Sequence, residues 1–154
     1  MRLAVLALVC TAFLAGCAST APSGRSRREV PSEVKDPNFI LVVAETVPNP
    51  DDDATSYTKV FVDGKEAGRT EVGRRAEERT LKLKLPPGNQ PIRLEHWVLP
   101  GVGEWTRLDD SQQPRERFVR IEDGVVARLE LRFAEGEAAN TLTLSRAPSS
   151  ESRR

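Results

Sequence analysis

The sequence predicts an all-β protein, a single antiparallel β-sandwich of about eight short strands. Apolar and polar residues alternate in several short runs, which is the period of a strand with one buried face. Leu81, Leu83 and Leu85, with lysines between them, are an example. Gly and Pro break these runs at short intervals, and no long segment after Cys17 has a helical period. The 154 residues suffice for one domain with its own core.

The first residues have the layout of a secretory signal peptide. Met1-Arg2 precedes an apolar stretch from Leu3 to Ala15, which is too short to span a bilayer as a helix. The stretch ends in Leu14-Ala15-Gly16-Cys17, which resembles the lipobox of bacterial lipoproteins. The resemblance implies cleavage after Gly16, a lipid on Cys17 and, because no Asp follows Cys17, the outer membrane. An ordinary signal peptide with an incidental cysteine is the alternative.

Composition divides the chain into four parts. We expect a lipoprotein signal peptide at 1–16, the lipidated cysteine and a flexible linker at 17–37, a β-sandwich domain at 38–147 and a disordered tail at 148–154. The linker is rich in Ser, Thr, Pro, Gly and charged residues and has no apolar period. No cysteine follows Cys17, so the folded domain holds no disulfide.

Turn residues mark the strands of the domain. Phe39 to Val47 opens it and is apolar on both faces at its start. Tyr57 to Val62 runs into Asp63-Gly64, a dipeptide typical of tight hairpins, and back through Ala67 and Gly68. The proline-rich segment from Pro86 to Pro91 is expected to end the strand of Leu81, Leu83 and Leu85.

Three further strands are expected near the end of the domain. Val119 and Ile121 lead into Glu122-Asp123-Gly124, and an alternating run to Phe133 follows, which predicts a hairpin. Leu142 and Leu144 predict a last short strand.

Part of this pattern resembles a known bacterial module. The runs Val60 to Lys65, Gly68 to Thr70, Leu83 to Gly88 and Ile92 to Glu95 are similar to the motifs of PEGA-type domains. The resemblance implies two successive hairpins in a small, non-catalytic β-sandwich of the bacterial envelope.

A third hairpin is expected about Gly101, between Ile92–Val98 and Glu104–Asp110. Its register places an aromatic pair and two oppositely charged pairs on one face: Trp97 with Trp105, Glu95 with Arg107, and Arg93 with Asp109. If this face is exposed to solvent, it forms a platform for an envelope protein or a glycan. The residues of this platform are Trp97, Trp105, Arg93, Glu95 and Arg107. The alternative is a tryptophan pair that only stabilises the hairpin.

The sequence contains few residues in patterns typical of catalytic or metal-binding sites. His96, the single histidine, shares its face with Leu94 and Val98, which predicts a partly buried strand residue. The alternative is a periplasmic hydrolase on a transthyretin-like sandwich, with His96 as the base. Asp51-Asp52-Asp53 lacks the ligand spacing of a calcium loop, and no phosphate-binding loop is present. We therefore expect no enzyme, cofactor or metal.

Charge and sequence together predict a binding or scaffolding module that the lipid on Cys17 holds at the membrane. The formal net charge is zero, so the chain has no general basic field for nucleic acid.

Overall fold

The computed structural model describes residues 34–134 and 140–149. Cys17, with the predicted signal peptide, nearly all of the linker and most of the tail, lies outside these residues. Within them the secondary structure is almost entirely β, with one 3-10 turn at Pro50–Asp52. The strands are β1 Phe39–Glu45, β2 Thr55–Val62, β3 Lys65–Arg69, β4 Gly73–Arg74, β5 Arg79–Leu83, β6 Gly88–Leu99, β7 Thr106–Arg107, β8 Arg117–Ile121, β9 Val125–Phe133 and β10 Asn140–Pro148. None of the described residues forms a helix long and apolar enough to cross a membrane.

The strands form two sheets. The four-stranded sheet has the order β10-β9-β1-β5. The six-stranded sheet has the order β3-β2-β6-β7, with β4 on β2 and β8 on β6. The predicted all-β sandwich is confirmed, with ten described strands rather than about eight. All pairs are antiparallel except β1 with β9, which is parallel and was not expected.

Period-two alternation builds the core between the sheets. On β1, Phe39, Leu41 and Val43 are fully buried and face inward. Val42, on the opposite face of the same strand, is only 2% exposed, so both faces of β1 are covered as predicted. The other buried apolar residues of the core are Val60, Leu85, Ile92, Leu94, Val119, Ile121, Ala127, Leu129 and Leu131.

The hairpin at Asp63-Gly64 is confirmed. Both residues have positive φ, 50° and 74°, as a tight turn between twisted strands requires. Further along β3, Gly68 lies close to the opposite sheet, because a Cβ there would lie 3.1 Å from Cδ2 of Leu83. The missing side chain therefore lets β3 and β5 approach each other.

Two predicted hairpins are wrong, for the same reason. The turn before Gly124 forms, but β8 pairs with β6 and β9 with β1 and β10, so the turn connects the two sheets. The second hairpin implied by the PEGA resemblance is also not formed, since β5 pairs with β1 and β6 with β2. An alternating pattern shows which face of a strand is buried. It does not show whether the next strand pairs beside it or packs opposite it.

β5 ends before Pro86, as the prolines predict, and β6 begins within the same segment, at Gly88. β6 is long because it uses different neighbours along its length: Gly88 to Ile92 pairs with β8, and Ile92 to Leu99 pairs with β2. Pro91 has no N–H to donate, but its carbonyl accepts from the N–H of Asp63 at 3.2 Å.

A side chain bridges the interval between β7 and β8 along β6. Gln113 is buried, and its Oε1 accepts from the backbone N–H of His96 at 2.9 Å. Its Nε2 donates to the carbonyls of His96 and Leu108 at 3.2 and 2.9 Å. The amide thus replaces a neighbouring strand and satisfies buried backbone groups.

We expect Gln113→Leu to lower the free energy of unfolding by about 1–3 kcal/mol, because it leaves the buried N–H of His96 without a partner. Urea denaturation followed by tryptophan fluorescence measures the change. Gln112→Leu is the matched control, since the adjacent Gln112 is exposed. Equal losses in the two variants would contradict this role for Gln113.

Candidate functional site

The register of the third hairpin differs from the prediction. Trp97 lies opposite Arg107 and Val98 opposite Thr106, so the expected pairing of Trp97 with Trp105 is wrong by two residues. The direct pairs of Glu95 with Arg107 and of Arg93 with Asp109 are wrong for the same reason. A two-residue shift keeps every side chain on its predicted face.

The rings meet on the outer face of the six-stranded sheet, through a residue that the sequence analysis missed. Tyr57 of β2 lies directly opposite Trp97 of β6, with ring centroids 6.3 Å apart and planes 1° from parallel. The ring of Trp105 packs edge-on against Tyr57 at 4.7 Å. Tyr57 is therefore the centre of the cluster. Its signal in the sequence is the alternation Tyr57, Lys59, Phe61 along β2, opposite the inward-facing Thr58 and Val60.

Cations lie over three of the rings on this face: Lys59 Nζ is 5.7 Å from the centroid of Trp97, Arg69 Cζ is 5.7 Å from that of Tyr57, and Arg93 Cζ is 4.0 Å from that of Phe61. Such contacts are attractive because the π face of the ring is electron-rich. They place the charged ends of these long side chains against the rings. We call the residues Tyr57, Lys59, Phe61, Arg69, Arg93, Glu95, Trp97, Trp105 and Arg107 the aromatic face.

Glu95 lies between two of the cations. It forms an ion pair with Arg93 on its own strand and lies 3.8 Å from Nε of Arg107. Arg107 also donates through Nη1 to Asp110 at 2.7 Å. The predicted attraction of Glu95 and Arg107 is therefore present, but between diagonal neighbours.

The five predicted residues share one face, and both indoles are half-buried. Tyr57 beneath them is only 8% exposed. Nε1 of Trp97 is buried and, among the described residues, has no hydrogen-bond partner. The face thus offers partly exposed rings and guanidinium groups on a continuously paired sheet.

A second cluster lies inside the sandwich, where the apolar core becomes polar at one end. Glu45 ends β1, Arg79 begins β5 opposite Val43, and His96 lies near the end of β6 opposite Thr58. Each of these residues continues the inward-facing alternation of its strand. That alternation is the signal that could have identified Glu45 and Arg79 from the sequence.

Glu45 is the centre of this cluster. Its Oε1 accepts from Ser56 Oγ at 2.9 Å and from Arg79 Nη2 at 2.6 Å. Its Oε2 accepts from Arg75 Nε at 2.7 Å. His96 Nε2 lies 3.2 Å from Oε1 but outside hydrogen-bond geometry, while Nδ1 is 2.9 Å from the hydroxyl of Thr58.

The electrostatics of the cluster favour an ionised carboxylate. Burial alone would raise the pKa of Glu45, but the proximity of His96 and Arg75 outweighs this and lowers the pKa from 4.5 to about 2. The carboxylate therefore stays charged inside the protein, held by cations on both sides.

This geometry does not suit His96 as a catalytic base. Its side chain is fully buried, and it faces Thr58 and Glu45 rather than a cavity open to substrate. The hydroxyl of Ser56 is equally buried and is engaged with Glu45 and Arg79. Within 34–134 and 140–149, no group of acidic, histidine and cysteine side chains has the arrangement of a metal site.

Comparisons with protein-family models, with curated proteins and with solved structures find no match to this chain.

We expect Glu45→Gln to destabilise the protein at pH 7 by about 3–5 kcal/mol, because it leaves Arg79 buried without its counter-charge. The wild-type advantage should shrink as the pH falls from 4.5 towards 2, by up to about 3 kcal/mol, since the depressed pKa contributes stability only while the carboxylate is ionised. Denaturant titrations at several pH values measure both effects.

Glu130→Gln is the control for this prediction. The pKa of Glu130 is also lowered, by hydrogen bonds from Arg128 and Arg132, but the residue lies on the surface. It should change stability little at any pH. If the two variants show the same pH dependence, the internal cluster has no special role.

Proposed function

We propose that the protein is a lipid-anchored, non-catalytic binding module of the bacterial envelope, and that the aromatic face holds its partner. The observation that carries the proposal is the convergence of Trp97, Trp105, Arg93 and Arg107 on one partly exposed sheet face. Aromatic and arginine side chains dominate the energetics of protein interfaces, because they bury large areas and also hydrogen-bond.

The position of the aromatic face favours a role in binding a partner over a role in stabilising the fold alone. The inner face of the six-stranded sheet already packs on the core, and β2 and β6 pair along eight residues from Thr55 to Val62. The rings of the aromatic face add to the stability of the fold through their contacts with one another. A pair of indoles left half-exposed on a firmly paired sheet is also available to a partner, either a protein or a glycan, both of which use aromatic platforms.

The lipobox supports the location. A lipid on Cys17 would place the sandwich, which begins at Phe39, at most about 75 Å from the membrane along an extended linker. Membrane anchoring through acyl chains is stable when more than one chain is attached. Of the two hairpins that the PEGA resemblance implies, only the one at Asp63-Gly64 forms, so the proposed location rests on the lipobox.

A hydrolase that uses His96 is the second candidate, and it has less support. The nearby carboxylate of Glu45 would suit a base. However, both side chains are sealed in the polar end of the core, where their neighbours are arginine, serine and threonine.

We expect mass spectrometry of the protein extracted from membranes to show a mature chain that begins at a diacylglyceryl-modified Cys17. Cys17→Ser should remain uncleaved and carry no lipid, because the thiol is the attachment point. Cys10→Ser is the matched control and should be processed normally. An unmodified chain released into the soluble fraction would refute the anchor.

We also expect a photo-crosslinking residue placed at Glu104, beside Trp105, to form a discrete adduct in the intact envelope. The same residue at Lys82, exposed on the other sheet, serves as the control position. Trp105→Ala should reduce the adduct at least about tenfold, a loss of 1.4 kcal/mol in binding. Acrylamide quenching should reach at least one indole.

Thermal unfolding of Trp105→Ala separates the two roles of the ring. If the variant unfolds while its folded fraction still forms the adduct in full, the ring is structural and this surface is not the binding site.

A further inference from the structure

The free edge of β10 is a second surface with defined chemistry. β10 is the last strand of the four-stranded sheet, and all 9 of its residues pair with β9 without a register shift. Within the described ranges no strand pairs with its other side. The segment from Asn140 to Ser145 carries no charge and no proline. An edge of this kind is a template for another strand unless a bulge, a charge or a proline blocks it.

The other principal edges of the sandwich carry such blocks. The pairing of β3 shifts register between Val60 and Phe61, and its side chains include Lys65, Glu66 and Arg69. β5 has only five residues, one of which is an exposed lysine, and two prolines follow it. β8, the outer strand beside β6, has only five residues, two of which are exposed arginines. Among the described strands, β10 is thus the long edge without such a block in its first six residues.

The hydrogen bonds of the sheet show which backbone groups of β10 are free. The N–H of Ser149 donates to the carbonyl of Gly124 at 2.8 Å, in the same register as the rest of β10 and β9. Because hydrogen-bonded pairs alternate along antiparallel strands, the odd-numbered residues of β10 bond to β9. The N–H and C=O groups of Leu142 and Leu144 then point to the open edge.

Contacts on the far side of β9 give the same result independently. Ala127 of β9 donates to Asn38, and Phe133 accepts from Thr46, so both bond towards β1. These two residues lie opposite Arg146 and Asn140, which are even-numbered residues of β10.

A groove of about 480 Å³ runs beside this edge. Asn140 and Leu142 line one side, and the segment from Ser111 to Arg117 lines the other. Leu142 and Leu144 are half-buried against the core, while Arg115 and Arg117 are exposed with a single acid, Glu116, between them. An added strand would direct alternate side chains into this groove.

We propose that the edge of β10 binds an extended segment of a partner protein, which adds an antiparallel fifth strand to the sheet. From its N-terminus, the segment would carry apolar residues opposite Leu144 and Leu142 and an acidic residue opposite Asn140. The apolar residues would extend the core, and the acid would meet Arg115 and Arg117. The inference is independent of the aromatic face.

Charge makes a second copy of this chain a poorer occupant. Two β10 strands paired about Thr143 would bring leucine opposite leucine and leave Pro148 outside the pairing. The same arrangement would place the partner copy's arginine from position 146 opposite Asn140, where Arg115 and Arg117 already line the groove. An acidic segment avoids this repulsion.

The test uses the full chain and a fluorescein-labelled peptide, Thr-Val-Thr-Val-Thr-Glu-Thr, followed by fluorescence anisotropy. N-methylation of either valine should weaken binding at least about tenfold, because the N–H of these residues faces β10. N-methylation of the threonine between them should change the affinity less than about twofold. The reversed sequence, Thr-Glu-Thr-Val-Thr-Val-Thr, should bind more weakly than the parent.

Variants of the protein provide a second test of the proposal. The double variant Arg115→Glu, Arg117→Glu should weaken the peptide at least about tenfold. Lys82→Glu, the same charge reversal on the far edge strand, should have no effect. In residue-resolved hydrogen exchange, the peptide should protect the amides of Leu142 and Leu144 while that of Thr143 stays protected throughout.

Three results would overturn the proposal. One is no saturable binding of the parent peptide below about 1 mM. Another is an equal effect of N-methylation at valine and threonine. The third is protection of Leu142 and Leu144 in the peptide-free protein that grows with protein concentration, which would show that a second copy occupies the edge. None of these results bears on the binding role of the aromatic face.

Discussion

The carboxylate of Glu45 joins the two sheets at the polar end of the core, and the geometry there depends on it. Glu45 belongs to β1 in one sheet, while Ser56 and His96 belong to β2 and β6 in the other. Arg79, from β5, is held by the same carboxylate and is almost completely buried. A buried charge is tolerated only when its partners are close and well directed, so these strands must meet at fixed distances. The cluster therefore constrains how the two sheets align.

The two clusters are connected through the register of β2 and β6. Thr58 points inward and contacts His96, while the adjacent Tyr57 points outward and stacks on Trp97. A slip of one residue would exchange these faces, placing the rings in the core and the threonine in solvent. Polar contacts inside the sandwich and aromatic contacts outside it therefore specify the same alignment. The residues of the aromatic face therefore come together in the register that the interior contacts also specify.

Much of this architecture could be predicted from the sequence, because alternation depends on local residues alone. The strand class, the double-sided burial of β1, the Asp63-Gly64 turn and the shared face of Arg93, Glu95 and Trp97 all follow from it. The partners of each strand do not follow, since inward-facing residues look the same whether the next strand lies beside or opposite. For this reason the hairpin at Gly124 was predicted wrongly and the parallel pairing of β1 with β9 was missed.

The sequence likewise predicted only part of the candidate site, and for the same reason. It shows which residues share a face, but not which rings lie next to each other. Tyr57 and Trp105 are 48 positions apart, and no local pattern shows that their rings touch. The sequence placed Trp97 and Trp105 on a common face, but it could not rank Tyr57 against Trp97 as the neighbour of Trp105. The role of Gln113 was equally hidden, because a side chain that replaces a strand has no periodic signature.

The parallel pairing of β1 and β9 has a consequence for the order in which the protein folds. Phe39 pairs with Ala127, 88 residues later in the chain, and the two strands lie side by side at the centre of their sheet. Strands this far apart in the sequence lose the conformational entropy of a long loop before their contacts contribute any favourable energy. As the chain emerges during synthesis, β1 can meet β5 early, but its second neighbour does not exist until most of the domain has been made. The four-stranded sheet therefore closes late, and until then one edge of β1, the most apolar of the described strands, stays open to wrong partners.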